Sequence, residues 1–467
     1  MKSTRAFPHS PSKRGSKRPR TDSHSRETQL LEWLRGRGAR VSGVELRPDA
    51  WGGLGVFASG RGFAAGERVV HIPERCVLTP RCAAESAAGK RIREVAADAT
   101  NEEILLLAMC LGRANAAHEW HDYLATLPAQ APDPLSWSDA QLARLAGTDF
   151  GVAIAAARRE VARIVAVGRA LSDADAVAFP LAALDAPSVR WARGMYRSRR
   201  LPSSLAARTQ GDDEGVLVPF LDFFNHRADA GSEVLGGKAN GGVSVIIHTN
   251  GTVPSYGSAA RRPAAAAAAA AAAISDTATA STSLRSFVVE EGEEICIHYG
   301  ARTNQDLLLN HGFALRDNVH DTVRLALGVR DEESGRQREL GPFHVSRDAT
   351  NPIPLELWRA LADPLHWRPL GVGEEAPPPE VGMDEVAMLI ATLERKLATL
   401  VAPPADDDVA ISALDCAINV SIRDAIDGHR RILSGAIAVL TAIVDSTEAA
   451  GGSASSGSES ESGSDCG

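Results

Sequence analysis

A long run of helical spacing is set between two stretches of strand-forming sequence. From 41 to 80, in "VSGVELRPDAWGGLGVFASGRGFAAGERVVHIP", short β-prone runs are broken by glycine and proline, the pattern of hairpins joined by tight turns. From about 97 to 191 apolar residues recur at helical intervals, as in "NEEILLLAMCLGRA" and "SDAQLARLAGTDFGVAIAAARREVARIVAVGRAL". Ser138 and Gln141 are spaced there as a capping box. From 216 to 327 the strand pattern returns, most clearly in "LRSFVVEEGEEICIHYG". The expected class is α+β: small twisted sheets interrupted by a helical insert. Beyond Gly341, "MDEVAMLIATLERKLATLV" and "DDVAISALDCAINVSIRDAIDGHRRILSGAIAVLTAIV" read as long amphipathic helices, so 328–446 is expected to form a second, all-helical domain after a first that spans 29–327.

Three segments cannot supply a core. Residues 1–28 form a basic Ser/Pro-rich tail containing "KRGSKRPR", and 447–467 form a Ser/Gly/acidic tail. Residues 227–282, with the alanine run 264–273, read as a surface insertion. The basic tail is compatible with a nuclear address, a cytoplasmic protein with a solubilising tail, or a chloroplast transit peptide. A net charge of -9 spread over both signs argues against nucleic-acid binding through phosphate neutralisation across the whole surface. The six cysteines contain no C-x-x-C pair, which predicts neither a zinc site nor a disulfide framework and suits a reducing compartment. No apolar run is long enough to span a membrane, and no membrane partner is expected.

The glycines of "WGGLGVFASG" match a dinucleotide fingerprint at Gly53, Gly55 and Ala58. That motif needs a helix immediately after it, whereas "SGRGFAAGERVV" supplies turns and another strand. What remains is a loop whose backbone can approach something closely. Downstream come "RSRRLP", then "LVPFLDFFNHRADA", then "GEEICIHYGARTNQDLLLNHGFAL". The second of these runs apolar and ends on Asn225 and His226, two side chains that demand hydrogen-bond partners when buried.

A glycine-rich hairpin, a helical insert, an Asn-His pair and "GEEI-x-x-x-YG", in that order over about 41–327, resemble the SET-domain protein methyltransferases. The large insert, "VRWARGMYRSR" and the helical C-terminus are similar to the class that includes the plastid Rubisco large-subunit methyltransferase and the actin-histidine methyltransferase. The resemblance implies S-adenosyl-L-methionine as cofactor and no metal. In this reading Gly53, Leu54 and Gly55 bring backbone groups to the cofactor, Arg199 pairs with its carboxylate, and Asn225 and His226 contact it from a knot-like crossing. Asp222 supports the Asn-His turn, Phe313 packs against the adenine, and Arg197 is a solvated charge. Tyr299 sits at the methyl channel as the catalytic residue, orienting the incoming nitrogen. His311 in "HGF" stands where many relatives carry a tyrosine. The implied activity is methylation of a lysine on a non-histone protein, since the cysteine cluster of histone methyltransferases is missing. Histidine methylation and a catalytically silent protein-binding module are the alternatives. The C-terminal domain is expected to hold the protein substrate, and the chain to be a monomer.

Overall fold

The computed structural model describes residues 25–49, 53–206, 215–227, 230–237, 240–247, 289–330, 337–371, 376–401 and 413–454, with Gly335 and Glu374 between them. Most of the expected insertion, including its alanine run, lies outside the described residues, as do the basic tail up to residue 24 and the acidic tail from 455.

The strand-forming sequence makes two small sheets. Strands β1 (Arg40–Val41), β4 (Arg68–Pro73), β5 (Ser232–Leu235) and β6 (Gly242–Ile247) form a four-stranded sheet in the order β1-β4-β6-β5. Strands β2 (Val44–Pro48) and β3 (Leu54–Ala58) form a separate hairpin. Val56, Ala58, Val70, Ile72, Val243 and Val245 bury one apolar core, consistent with small β-branched side chains on closely packed sheets. "VEEGEEICI" (289–297) contributes isolated bridges, Phe63 to Val289 and Phe57 to Glu294, in place of a regular strand.

The insert is wider than its periodicity suggested, because helices begin at Pro80–Glu85 and continue to Arg199. Helix α1 is Arg26–Gly36, α2 Asn101–Ala114, α3 Phe150–Ala174 and α4 Ala186–Arg199. Thr100 and Glu103 close a capping box on α2, each side chain accepting from the other's amide at 3.2 and 2.9 Å, which satisfies two otherwise orphan donors. The box expected at Ser138 and Gln141 forms in the same way. Along α3, Phe150, Ile154, Ala157, Val161, Ile164 and Leu171 bury one face at three- to four-residue spacing. Arg193 on α4 reaches Glu160 on α3 at 2.8 Å and Asp133 at 3.5 Å, so the end of α4 is fixed before it delivers Arg199.

The C-terminal unit, expected to be all-helical, carries a hairpin as well, β7 (Thr322–Arg330) with β8 (Gln337–Ser346). Helix α5 (Asn304–His311) precedes it, and α6 (Leu355–Ala362), α7 (Met383–Thr399) and α8 (Ala413–Ala454) follow. Val323, Leu325 and Phe343 from the hairpin join Leu357, Leu389, Leu393 and Leu433 in a second core. Ile422, Ala425 and Ile426 of α8 pack instead with Phe150, Ile154 and Leu308, so one helix belongs to both halves. No helix among the described residues is long and apolar enough to cross a membrane.

Candidate active site

The segment 216–224 is apolar because it is enclosed: Val216, Leu217, Val218, Phe220, Leu221, Phe223 and Phe224 are all buried. Phe220 is held at φ 78°, a left-handed conformation that costs a bulky residue energy and that surrounding structure must impose. Past this bend, Asn225 and His226 lie parallel to Ile297, whose amide donates to the Asn225 carbonyl at 2.9 Å while Arg227 donates back to the Ile297 carbonyl at 3.2 Å. Ile295 in turn donates to Val56 on β3 at 2.8 Å. Three distant segments are thus stitched edge to edge.

The side chains follow the same crossing. The Asn225 amide donates to Asp49 at 3.1 Å and to Glu294 at 2.7 Å, and Asp49 accepts from the Gly53 amide at 2.8 Å. Gly55 backs this cluster closely, because a Cβ there would meet Glu294 Oε1 at 2.4 Å and Asn225 Nδ2 at 3.0 Å. A side chain at 55 would therefore have to displace the Glu294 carboxylate that Asn225 holds. His226 Nδ1 accepts the Tyr299 amide at 3.2 Å, and the Tyr299 hydroxyl donates to the Phe224 carbonyl at 3.0 Å.

On the opposite side, buried Asp222 accepts from the Tyr123 hydroxyl at 2.9 Å and faces Arg199 at 3.3 Å. The same guanidinium nitrogen donates to the Asp222 carbonyl at 2.8 Å. Burial raises the Asp222 carboxyl above its ordinary range, with Arg199 opposing that shift. One carboxylate oxygen of Asp222 and Nε of Arg199 are left without a protein partner. Between these walls runs a narrow cleft lined by Arg199, Arg200, Arg302, Asp222, Tyr299 and His311, among others. Its cavity volume is about 30 Å³.

The rings at this cleft form one cluster. Tyr299 and His311 centroids lie 4.8 Å apart, His226 and Tyr299 5.1 Å, His226 and His298 5.2 Å, and Phe313 stands 6.2 Å from His226. Burial lowers His226 to about 4 and His311 to about 3, and it lowers His298 as well, so all three imidazoles are neutral near pH 7. Burial likewise raises the Tyr299 phenol, which stays protonated. With no charged acid or base at the rings, such a site works by positioning.

The fold brings all ten expected site residues to this region. Three partners were read otherwise or missed. Arg197 is no solvated charge, since it pairs with Glu102 at 2.5 Å and Glu160 at 3.1 Å. Glu294 ties Asn225, a partner that the sequence spacing does not announce. Asp222 is held by Tyr123 and Arg199, with no contact to the Asn225 or His226 side chains among its hydrogen bonds, and nothing in local spacing announces Tyr123.

No family model matches the chain. The actin-histidine N-methyltransferase of Danio rerio is 25% identical over 316 residues, covering 66% of this chain and 45% of the relative. The Homo sapiens protein of that name is 24% identical over 306 residues, covering 64% and 44%. The chain therefore spans under half the length of these relatives. The SET domain of LSMT bound to lysine and AdoHcy superposes with a TM-score of 0.63 at 18% identity over 90% of this chain and 92% of that one. Rubisco LSMT bound to AdoMet is 17% identical with a TM-score of 0.61, over 89% and 91%. The chain has the fold of the LSMT SET domain. The pairing of 225–227 with 295–297 stands where the resemblance places the knot-like crossing, and Asn225 and His226 tie it through Asp49, Glu294 and the Tyr299 amide. Among the described residues no cluster of three or more His, Cys, Asp or Glu could hold a metal.

Proposed function

We propose that the chain is an S-adenosyl-L-methionine-dependent protein methyltransferase whose acceptor is a histidine imidazole. The relatives by sequence carry that activity in their name, and the solved structures carry lysine in theirs. The observation that favours imidazole is the charge of the cleft. Three guanidinium groups line it, and Asp222, the one carboxylate among the lining residues, is already paired with Arg199. An ammonium entering there meets like charges and few acceptors for its three N–H groups. A neutral imidazole does not.

The cofactor fits what the site leaves open. Arg199 retains donor capacity beside Asp222, suited to a ligand carboxylate. The Gly53 to Gly55 edge brings the backbone close, and Phe313 offers a ring face beside His226. When bound, S-adenosyl-L-methionine supplies a methyl group already activated on a sulfonium. The chain's own residues then align the nucleophile and exclude water: the Tyr299 hydroxyl, fixed by the Phe224 carbonyl, presents its lone pairs and ring at the channel. An imidazole acceptor held there would give its lone pair to that methyl group, leaving S-adenosylhomocysteine, and would lose the proton of its second ring nitrogen to water. The C-terminal helices hold the protein substrate.

Incubation with labelled S-adenosyl-L-methionine and cell lysate, followed by mass spectrometry of the labelled protein, tests this reading. A methyl group on an imidazole nitrogen is expected. A methyl group on a lysine amine returns the site to the lysine reading, and a chain that binds cofactor without transferring label is a binding module.

A further inference from the structure

Three imidazoles meet at the cleft, and their hydrogen bonds sort them. The Nδ1 atom of His226 accepts the Tyr299 amide at 3.2 Å, and Nδ1 of His298 accepts the Gly300 amide at 3.0 Å. A neutral imidazole has one lone-pair nitrogen and one N–H. In both residues the lone pair is held by the backbone and the hydrogen sits on Nε2, so each can only donate to a guest. His311 differs. It lines the cleft 4.8 Å from the Tyr299 ring, and among the described residues neither of its ring nitrogens bonds to the protein. The other lining groups are donor-rich: Arg199, Arg200 and Arg302 have no lone pair to give. The Phe224 carbonyl is engaged by Tyr299, and the Asp222 carboxylate by Tyr123 and Arg199.

Resting on the histidine reading above, we infer that His311 is the positioning residue for the acceptor, its free ring nitrogen taking the N–H that a neutral imidazole substrate must keep while its other nitrogen attacks. The argument is one of matching. A neutral imidazole offers one lone pair toward the methyl group and one N–H away from it, and that N–H, buried in a narrow channel, needs an acceptor. His311 supplies one, and its burial against Arg302 keeps it an uncharged acceptor through the physiological range. The contact fixes which nitrogen faces the channel and so selects the product isomer. It also disfavours an ammonium, which would leave two further N–H groups beside the guanidiniums.

The test uses the full chain saturated with S-adenosylhomocysteine, at a concentration set separately for each variant, and two side-chain probes, 4-methylimidazole and n-butylamine. The pH is held well above 6.5 so that the imidazole probe is neutral. In wild type 4-methylimidazole binds, and the lone-pair nitrogen of His311 shifts in the ¹⁵N spectrum as it accepts a hydrogen bond. The His226 and His298 nitrogens keep their Nε2–H pattern. His311→Phe, which retains a ring and loses the acceptor, weakens the probe at least tenfold, and His311→Gln, which restores an oxygen acceptor, recovers most of that loss. Equal losses in both variants, or no loss in His311→Phe, overturn the role of His311 and leave the methyltransferase reading standing. Binding of n-butylamine with refusal of 4-methylimidazole overturns the imidazole reading itself, and failure to bind S-adenosylhomocysteine overturns the cofactor assignment.

Discussion

The cleft and the seam between the two halves of the chain both bury polar side chains, yet they treat them oppositely. At the seam, Asn304 is 1% exposed and every polar group it carries is matched. Its amide nitrogen donates to Asp321 and to the Leu315 carbonyl, its oxygen accepts from Leu315 and Asn318, and its backbone N–H donates to Asp321, all at 2.8–3.1 Å. At the cleft, among the described residues, Arg199 Nε and one Asp222 oxygen have no protein partner, and the His311 ring makes no hydrogen bond to the protein. A fully satisfied polar cluster rigidifies one arrangement, whereas unused capacity in a narrow cleft is capacity held for a guest. The first kind of site can be broken only at the expense of the fold, the second at the expense of binding.

The largest effect is therefore expected at the seam. Asn304→Ala would leave the Leu315 N–H, the Leu315 carbonyl and one Asp321 oxygen without their partner, and unsatisfied buried groups cost about 1–3 kcal/mol each, so a loss of roughly 3–5 kcal/mol is expected in denaturant unfolding. Asp321, already raised to about 6 by burial, would be pushed higher by losing the Asn304 amide. A loss below about 1 kcal/mol would show that the seam is not held by this cluster.

A smaller effect, read in binding, is expected at the crossing. Asn225 donates to two carboxylates, so Asn225→Asp sets a third acid against Asp49 and Glu294 in place of the donor that reconciles them. Calorimetry should show S-adenosyl-L-methionine affinity falling about a hundredfold in Asn225→Asp and about tenfold in Asn225→Ala, on the order of two steps of 1.4 kcal/mol against one. Equal losses in the two variants would mean that Asn225 acts by touching the ligand and not by tying the two acids, which would make the cleft and the seam less alike in construction than they are drawn here.

How much of this was legible follows the range of each interaction. Helices α3 and α8 announce themselves because burial repeats along one face, and the box at Ser138 and Gln141 is three residues wide. The Asn225 and His226 pair stood out as polar residues closing an apolar run. Their partners did not, because Asp49 and Glu294 come from segments 176 and 69 residues away and look like any surface acids. Tyr123 is 99 residues from Asp222. The β7 strand was legible and was passed over in favour of helix: "TVRLALGVR" alternates Val323, Leu325, Leu327 and Val329 with polar or small residues, the period of a half-buried strand.

The smallest effect tests the exception to the comparison. His429 lies at the seam, 1% exposed and stacked on Phe150 at 5.4 Å, yet neither ring nitrogen has a partner. It is unused capacity in a place packed like a core, and burial lowers it to about 4, with Asp149 opposing that shift and Lys396 adding to it. If the contrast drawn above is right, these nitrogens serve no guest and only burden the fold. His429→Phe keeps the stack and removes both orphans, so it should stabilise the protein by about 1 kcal/mol near neutral pH. The sign of the pH response follows from the lowered value. Above 6.5 the ring is neutral in both folded and unfolded chains, and as pH falls from 6.5 toward 4 only the unfolded chain gains the proton, so stability is lost across that window. The variant lacks this titration, and His226 and His311 act alike in both proteins, so the gap between variant and wild type should widen steadily from pH 6.5 to 4. Unfolding curves whose separation stays constant over that range, or a variant less stable than wild type throughout, would show that His429 has a partner that forms in solution and that the seam, like the cleft, keeps a polar group in reserve.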